Sequence, residues 1–401
     1  MTKSPDSPPV LTDQDAARID QHHATVEEAY DAYDDLRPRC PIAHSERNGG
    51  YYMLLRHADV RAAALDWKTF SSARGVTLPL DPTRPPLPAI EMDGAEHMEW
   101  RKRYTDAITP ATLAAIEPKV ERIANHLIDQ FAAQGRCDLV HSFAEPLPVL
   151  TICEAIGLDR DPDEVRQLAI MLTVNNTDPD AHAQAMGELG KFILGEIHAR
   201  RETPRDDYLT TISRMESDGR LLNDYELTAY MIGFLVAGHE TTAAALSGLL
   251  YHSLLDPGAA TRLLADEERL SRAVEEAVRL TSPFHGFSRT TTQDAMIDGK
   301  AIPADQVVRL CWASANRDPS VFPDPDRFDV DRERNPHLGF GAGRHVCAGA
   351  PLARAEMRIA MRTLLKRLPD IELVSNRLEW EFVGGMMTMP KSLEARFTPI
   401  G

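Results

Sequence analysis

Near its C-terminus the chain reads Gly339-Phe340-Gly341-Ala342-Gly343-Arg344-His345-Val346-Cys347-Ala348-Gly349, and a helix-forming run starts directly behind it. Gly341, Gly343 and Gly349 favour a tight loop that lets a flat ligand approach Cys347, because glycine accepts positive φ and has no Cβ. Pro351 suits the first turn of a helix, where its missing N–H costs nothing. A helix from Ala350 to about Leu368 aims its N-terminal N–H groups at the Cys347 sulfur and favours the thiolate. Such a thiolate is what haem iron needs when the task is cleavage of an oxygen–oxygen bond. The same residues are also compatible with a buried, inert cysteine in a Gly-rich turn.

A second segment, Ala237-Gly238-His239-Glu240-Thr241-Thr242, lies inside a long helical pattern that runs from Asn223 to Leu254. Glycine within a helix costs about 1 kcal/mol relative to alanine, and successive threonines are poor helix formers. That conflict points to a local distortion with a use. A purely structural account is open too: Gly238 for close packing, and Thr241 bonded back to a carbonyl. A third pair, Glu276 and Arg279, shares one helix face at i, i+3.

The run Phe-Gly-x-Gly-x-His-x-Cys-x-Gly, from Phe340 to Gly349, with Ala353-x-x-Glu356 behind it, closely resembles the haem loop of the cytochromes P-450. The pattern fixes six positions in ten, which chance explains poorly. The resemblance extends from the His97 helix to the C-terminal strands and includes the order of the motifs. It implies a mainly α fold, one large helical domain with small β-sheets. It also implies haem b, with Cys347 as the axial ligand of the iron and Phe340, Gly341 and Gly349 shaping the loop.

In the family's terms, small Ala237 and Gly238 leave room for dioxygen, Thr241 hydrogen-bonds the oxygen or a water, and Glu240 relays protons from solvent. His97 and Arg101, one helical turn apart, together with Arg289 and His345, fall where relatives grip the two haem propionates. Glu276, Arg279 and Arg327 take the places of a structural network beneath the haem. His239 is a packing residue on this reading.

The implied activity is insertion of one atom of dioxygen into an apolar or partly polar small organic substrate. Electrons are expected from a separate ferredoxin and ferredoxin reductase using NAD(P)H, docking near Arg101, Lys102, Arg103, Arg344 and Arg354. Family geometry surrounds the substrate with Leu78, Leu80, Leu87, Ile90, Leu168, Met171, Leu172, Ile232, Phe234, Phe287, Met386 and Met387. Arg74, Asn175, Asn176 and His285 are the polar candidates for orienting it, although Arg74 fits a solvated surface position better. Two rivals stand beside this reading. One is a peroxide-using or non-oxygenating haem-thiolate enzyme, although such relatives usually lose the acid–alcohol pair that Glu240-Thr241 retains. The other is a helical binding protein without haem.

These residues need elements to hold them. Spacings of three and four among Leu113, Ile116, Val120, Ile123, Leu127 and Phe131 predict a helix ending at Gly135. Further helices are expected at Ala58–Leu65, Pro148–Ala155, Glu164–Thr173, Ala181–Glu202 and Leu263–Leu280. Strands are expected at Gly49–Leu55, Gln306–Leu310, Ile371–Val374, Leu378–Phe382 and Leu393–Phe397. A Pro-rich loop covers about Gly75 to Gly94. Residues 1–20 are expected to be disordered and residues 21–401 to form a single haem domain, against the two or three domains that 401 residues suggest by length alone.

The bulk numbers agree. Hydrophobic content of 43% supplies a sizeable core. A net charge of −17 argues against nucleic acid or anionic membrane surfaces as partners. Five scattered cysteines, and an N-terminus with neither an apolar signal region nor an anchor helix, fit a reducing compartment. A soluble, cytoplasmic monomer is expected.

Overall fold

The computed structural model describes residues 11–20, 25–40, 42–81, 86–158, 179–256, 258–383 and 386–400. Its centre is the helix Asp224–Leu254, which starts where a capping box places it. The Asn223 side chain accepts from the Glu226 N–H while the Glu226 carboxylate accepts from Asn223 N–H. From Leu227 to Ser253 this helix is buried on most of its circumference, as expected for an element apolar all round. Around it pack Pro146–Ile156, Glu267–Thr281, Pro179–Glu202 and Ala350–Arg367, and Ala350–Arg367 in turn lies along Pro110–Phe131.

Sheets occupy the periphery. In the largest, the strands run in the order Ile42–Ser45, Tyr51–Leu54, Val307–Leu310, Phe287–Thr291, Phe70–Ser71. Its register sets Arg289 opposite Val308. A three-stranded sheet joins Glu372–Leu373, Glu394–Arg396 and Arg136–Asp138, and a two-stranded ribbon pairs Glu379–Val383 with Met387–Ser392. No helix among the described residues is long and apolar enough to cross a membrane.

Several expectations are corrected. Asp13–Asp20 is a helix with Ile19 fully buried, so disorder does not extend through residue 20. The single helix expected over Leu263–Leu280 is two, Ala259–Ala265 and Glu267–Thr281. Asp266 breaks it with extended backbone, and its carboxylate caps the second by accepting from the Glu268 and Arg269 N–H groups. The helix expected over Glu164–Thr173 lies outside the described residues.

Candidate functional site

Four segments distant in sequence converge on one internal cavity: the cysteine loop, the middle of the central helix, the Gly94–Ala107 helix and the Pro283–Arg289 segment. The loop is built from backbone bonds. Cys347 N–H donates to Phe340 O at 2.8 Å and Gly341 N–H to Leu338 O at 2.8 Å, while Leu338 N–H is held by Asn316 Oδ1 at 2.6 Å. Gly341 and Gly343 adopt φ of 72° and 69°, and a Cβ on Gly343 would meet Ala64 O at 2.6 Å. Gly349 differs from expectation. With φ of −79° it is the N-cap of Ala350–Arg367, with no side-chain cap, and its N–H and that of Ala350 face the Cys347 sulfur.

Cys347 is exposed by surface area yet closely surrounded by protein, because the surface it exposes faces the cavity. Burial raises its thiol above the ordinary value, opposed by those two N–H groups and by the Arg101 and Arg354 guanidinium groups. The helix N-terminus therefore acts in the expected direction, and burial outweighs it. The other four cysteines are buried away from the cavity lining.

Ala237, Gly238 and Thr241 form the opposite wall. Both structural explanations also hold there. A Cβ on Gly238 would come within 2.7 Å of Ile152 Cδ1, and Thr241 Oγ1 donates to Ala237 O at 2.7 Å. Glu240 and His239 turn away toward Glu145. Glu240 is 9% exposed, and no hydrogen-bond partner reaches its carboxyl among the described residues. Burial, then the nearby Glu145 charge, pushes its carboxyl up to about 7. Burial lowers His239 to about 4, and its Nδ1 has no partner among the described residues; it is a packing residue, as expected.

Three nitrogen-bearing side chains, Arg101, Arg289 and His345, line the cavity, with His97 packed behind His345. The His97 and His345 rings are 4.2 Å apart. His97 Nδ1 donates to Ala89 O at 2.9 Å, and the Arg344 backbone also faces its buried ring. Arg101 lines the cavity without an ion pair among the described residues, its pKa lowered by burial. Arg289, 5% exposed, is lowered to about 10 by burial despite the Asp93 charge, and donates through Nη1 to Ser288 O.

Asp93 is the residue that sequence reasoning missed. Its carboxylate accepts from Ser72 N–H at 3.2 Å and lies 3.3 Å from His345 Nε2. Burial works to raise Asp93, but the hydrogen bonds from His345 and Ser71 leave it below the usual range. The signal was its position just before the Gly94 helix, where an acid is expected. Glu356 was quoted only as part of a motif. It lines the cavity fully buried, and burial holds its carboxyl well above the ordinary value.

The surrounding expectations divide. Of the apolar candidates, Ile90, Phe234 and Phe287 line the cavity, joined by Phe284 and Trp312, while Leu168, Met171, Leu172, Asn175 and Asn176 lie outside the described residues. Leu78, Leu80, Leu87, Ile232, Met386 and Met387 are not among the lining residues. Arg74 is a surface residue paired with Asp305 at 2.8 Å. His285 is fully buried and bonded elsewhere, so it does not face a substrate.

Beneath the site, Glu276 and Arg279 are fully buried and paired at 2.7 and 2.8 Å, as expected. The third cation is Arg332, not Arg327. Arg332 Nε reaches Glu276 at 3.2 Å, whereas Arg327 offers only its backbone carbonyl to Arg279 and leaves its side chain exposed. The expected basic patch is largely neutralised: Lys102 pairs with Asp106, Arg103 with Glu99 and Arg354 with Glu275, while Arg344 stacks on Trp67.

The family model for cytochrome P-450 matches residues 168–370. The chain belongs to the cytochrome P-450 family. Mycinamicin IV hydroxylase/epoxidase of Micromonospora griseorubida is 34% identical over 88% of this chain and 92% of its own length. The monooxygenase PikC of Streptomyces venezuelae is 34% identical over 92% of this chain and 89% of its own. The crystal structure of CYP108D1 from Novosphingobium aromaticivorans superposes with a TM-score of 0.88 at 28% identity, covering 98% of this chain and all of that one. As a member, this P-450 is an oxidoreductase, a monooxygenase that uses haem iron, dioxygen and an organic substrate. The donor set fits that group: a sulfur open to the cavity, the Arg101 guanidinium without an ion pair among the described residues and the buried Arg289 guanidinium for carboxylates, and an apolar lining.

Proposed function

We propose that this chain oxygenates an apolar organic molecule, with Cys347 as the thiolate that would hold the haem iron and Thr241 and Glu240 as the proton-handling pair. One observation carries the reading. The cysteine sulfur, Arg101, Arg289, His345 and Thr241 share one cavity although they come from segments up to 246 positions apart (101 to 347), with His97 packed against His345. Bound haem supplies the iron chemistry that activates dioxygen; the chain supplies placement, charge and protons.

Arg101 and Arg289 neutralise the two propionates, and the His97 Nε2 and the His345 ring complete their hydrogen bonds. Phe340, Gly341 and Gly349 hold the sulfur and keep the loop open to a flat ring, with Ala237 and Gly238 facing it. The Thr241 hydroxyl is free to exchange its bond to Ala237 O for a water. Glu240, neutral up to about pH 7, faces Glu145 and would turn inward to pass that water a proton. Ile90, Phe234, Phe284 and Phe287 exclude bulk water and favour an apolar substrate. The mycinamicin relative carries a hydroxylation and epoxidation activity in its name, which agrees with insertion of oxygen into an organic substrate.

Electrons come from a separate ferredoxin and its NAD(P)H-dependent reductase. Arg344, beside the cysteine and free of an ion pair among the described residues, is the cation best placed to meet an acidic carrier. The test is coupling in a reconstituted chain. Thr241→Ala should consume NAD(P)H while forming severalfold less product, the remainder appearing as hydrogen peroxide. A product-to-NAD(P)H ratio equal to wild type would remove Thr241 from the mechanism.

A further inference from the structure

His285 touches neither the cavity nor solvent, yet it ties together three elements that shape the cavity. It is fully buried. Its ring Nε2 lies 2.7 Å from Thr388 Oγ1, on the strand Met387–Ser392, and its Nδ1 lies 3.3 Å from Tyr33 Oη, on the helix Val26–Arg39. Its backbone N–H donates to Met386 O at 2.7 Å, and its carbonyl accepts from Ala313 N–H at 3.2 Å. Thr388 N–H donates to Pro283 O at 2.8 Å, and Phe284 bridges to Met387. The flanking Pro283, Phe284 and Phe287 all line the cavity, with the two phenylalanine rings 4.7 Å apart.

An apolar ring would fill this volume, so filling space does not account for a histidine. A neutral imidazole offers one donor and one acceptor, and a hydroxyl can answer either. Burial first, then the charges of Arg309 and Arg317, holds His285 well below its ordinary value, so the ring is neutral at physiological pH. Each nitrogen is thereby committed to one partner, which fixes the ring plane between Phe382, at 4.6 Å, and Tyr30, at 5.1 Å. Its backbone, pinned on both sides, cannot shift without breaking one of those bonds.

We infer that His285 is a positioning residue for substrate selectivity. Through Thr388 and Tyr33 it sets the Pro283–Phe287 wall of the cavity, so the Val26–Arg39 helix governs which apolar shapes fit without touching them. The inference rests on the cavity being the haem and substrate chamber.

Two azoles separate wall from iron. Imidazole reaches the iron alone, whereas 4-phenylimidazole presents the same nitrogen and must also seat a ring against the wall. Each is titrated by its Soret shift into haem-loaded wild type, Tyr33→Phe, Thr388→Val and His285→Phe. Losing one buried hydrogen bond should weaken 4-phenylimidazole about five- to tenfold in Tyr33→Phe and Thr388→Val, with imidazole within about twofold. Tyr251→Phe, which loses a solvent-exposed bond to Asn376 O at 3.0 Å away from the cavity lining, should move neither. Tyr33→Phe and Thr388→Val decide the matter even if His285→Phe does not load haem. An unchanged ratio of the two affinities, or equal weakening of both azoles, would overturn the inference. Failure of wild type to shift with either azole would instead overturn the haem-thiolate reading, and this inference with it.

Discussion

Glu276 and Glu240 are both buried glutamates in the same helical core, and they are built for opposite ends. Glu276, on Glu267–Thr281, is saturated with donors: Arg279 Nε and Nη2, Arg332 Nε, the Asp329 N–H and Asn335 Nδ2 all reach its carboxylate within 3.3 Å. Glu240, on the central helix, has no donor among the described residues and a like charge, Glu145, nearby. A carboxylate with every lone pair engaged holds structure. One left without partners keeps a proton near neutral pH, which suits transfer. Burial alone therefore says little about role; the count of partners decides.

The largest effect expected from breaking this contrast lies at Glu276. Glu276→Gln or Arg279→Leu strands a buried charge at a cost of ~3–5 kcal/mol, a large part of a typical total of ~5–15 kcal/mol. Both variants should yield little soluble, haem-loaded protein, whereas Thr241→Ala should load haem normally. Haem per polypeptide measures the difference, and normal loading in both core variants would refute the structural role.

Next is Arg332→Ala, which removes one of several donors from Glu276. A loss of about 1–3 kcal/mol is expected by denaturant titration. Arg327→Ala should stay within about 0.5 kcal/mol, because its exposed side chain contributes nothing to the network. Equal losses would return Arg327 to the place that the sequence pattern suggested.

Glu240 sharpens the other side of the comparison through pH. Its folded-state pKa of about 7 lies above the ordinary 4.5, so between those values the folded chain binds more protons than the unfolded. Stability then falls as pH rises through that window and stays low above it. Glu240→Gln should flatten this decline in melting temperature by a few degrees at most. The proton-donating form is lost over the same upper limb, so the coupling ratio of wild type should drop above about pH 7. In the Gln variant coupling should be low throughout and insensitive to pH, and a retained wild-type profile would exclude Glu240 from the relay.

How much of this was readable in advance depended on whether a feature is local. The Asn223 cap and the Gly-rich cysteine loop are written in adjacent residues, and both appear where the spacing puts them. Asp266 was equally local but was masked by apolar periodicity that continues across it. The Thr25–Glu28 capping box that opens Val26–Arg39 went unread in a segment poor in aliphatic residues. Pro390 concealed the strand Met387–Ser392.

Tertiary partners were the least legible. Arg332 displaces Arg327 because the turn after Pro323 brings its guanidinium back over Pro323 O and Glu276, a path that no spacing encodes. Likewise Arg354 looks like a free cation in sequence, and only the fold sets Glu275 against it. Such pairing cannot be inferred from a residue's own neighbours.

The measurement closest to the central claim is the absorbance spectrum of the reduced carbon monoxide complex, in wild type and in Cys347→Ser. Thiolate ligation by Cys347 predicts a strongly red-shifted Soret band in wild type that disappears in the serine variant. An unchanged red-shifted band in Cys347→Ser would contradict the assignment and return Cys40, Cys137, Cys153 and Cys311 to consideration as the ligand.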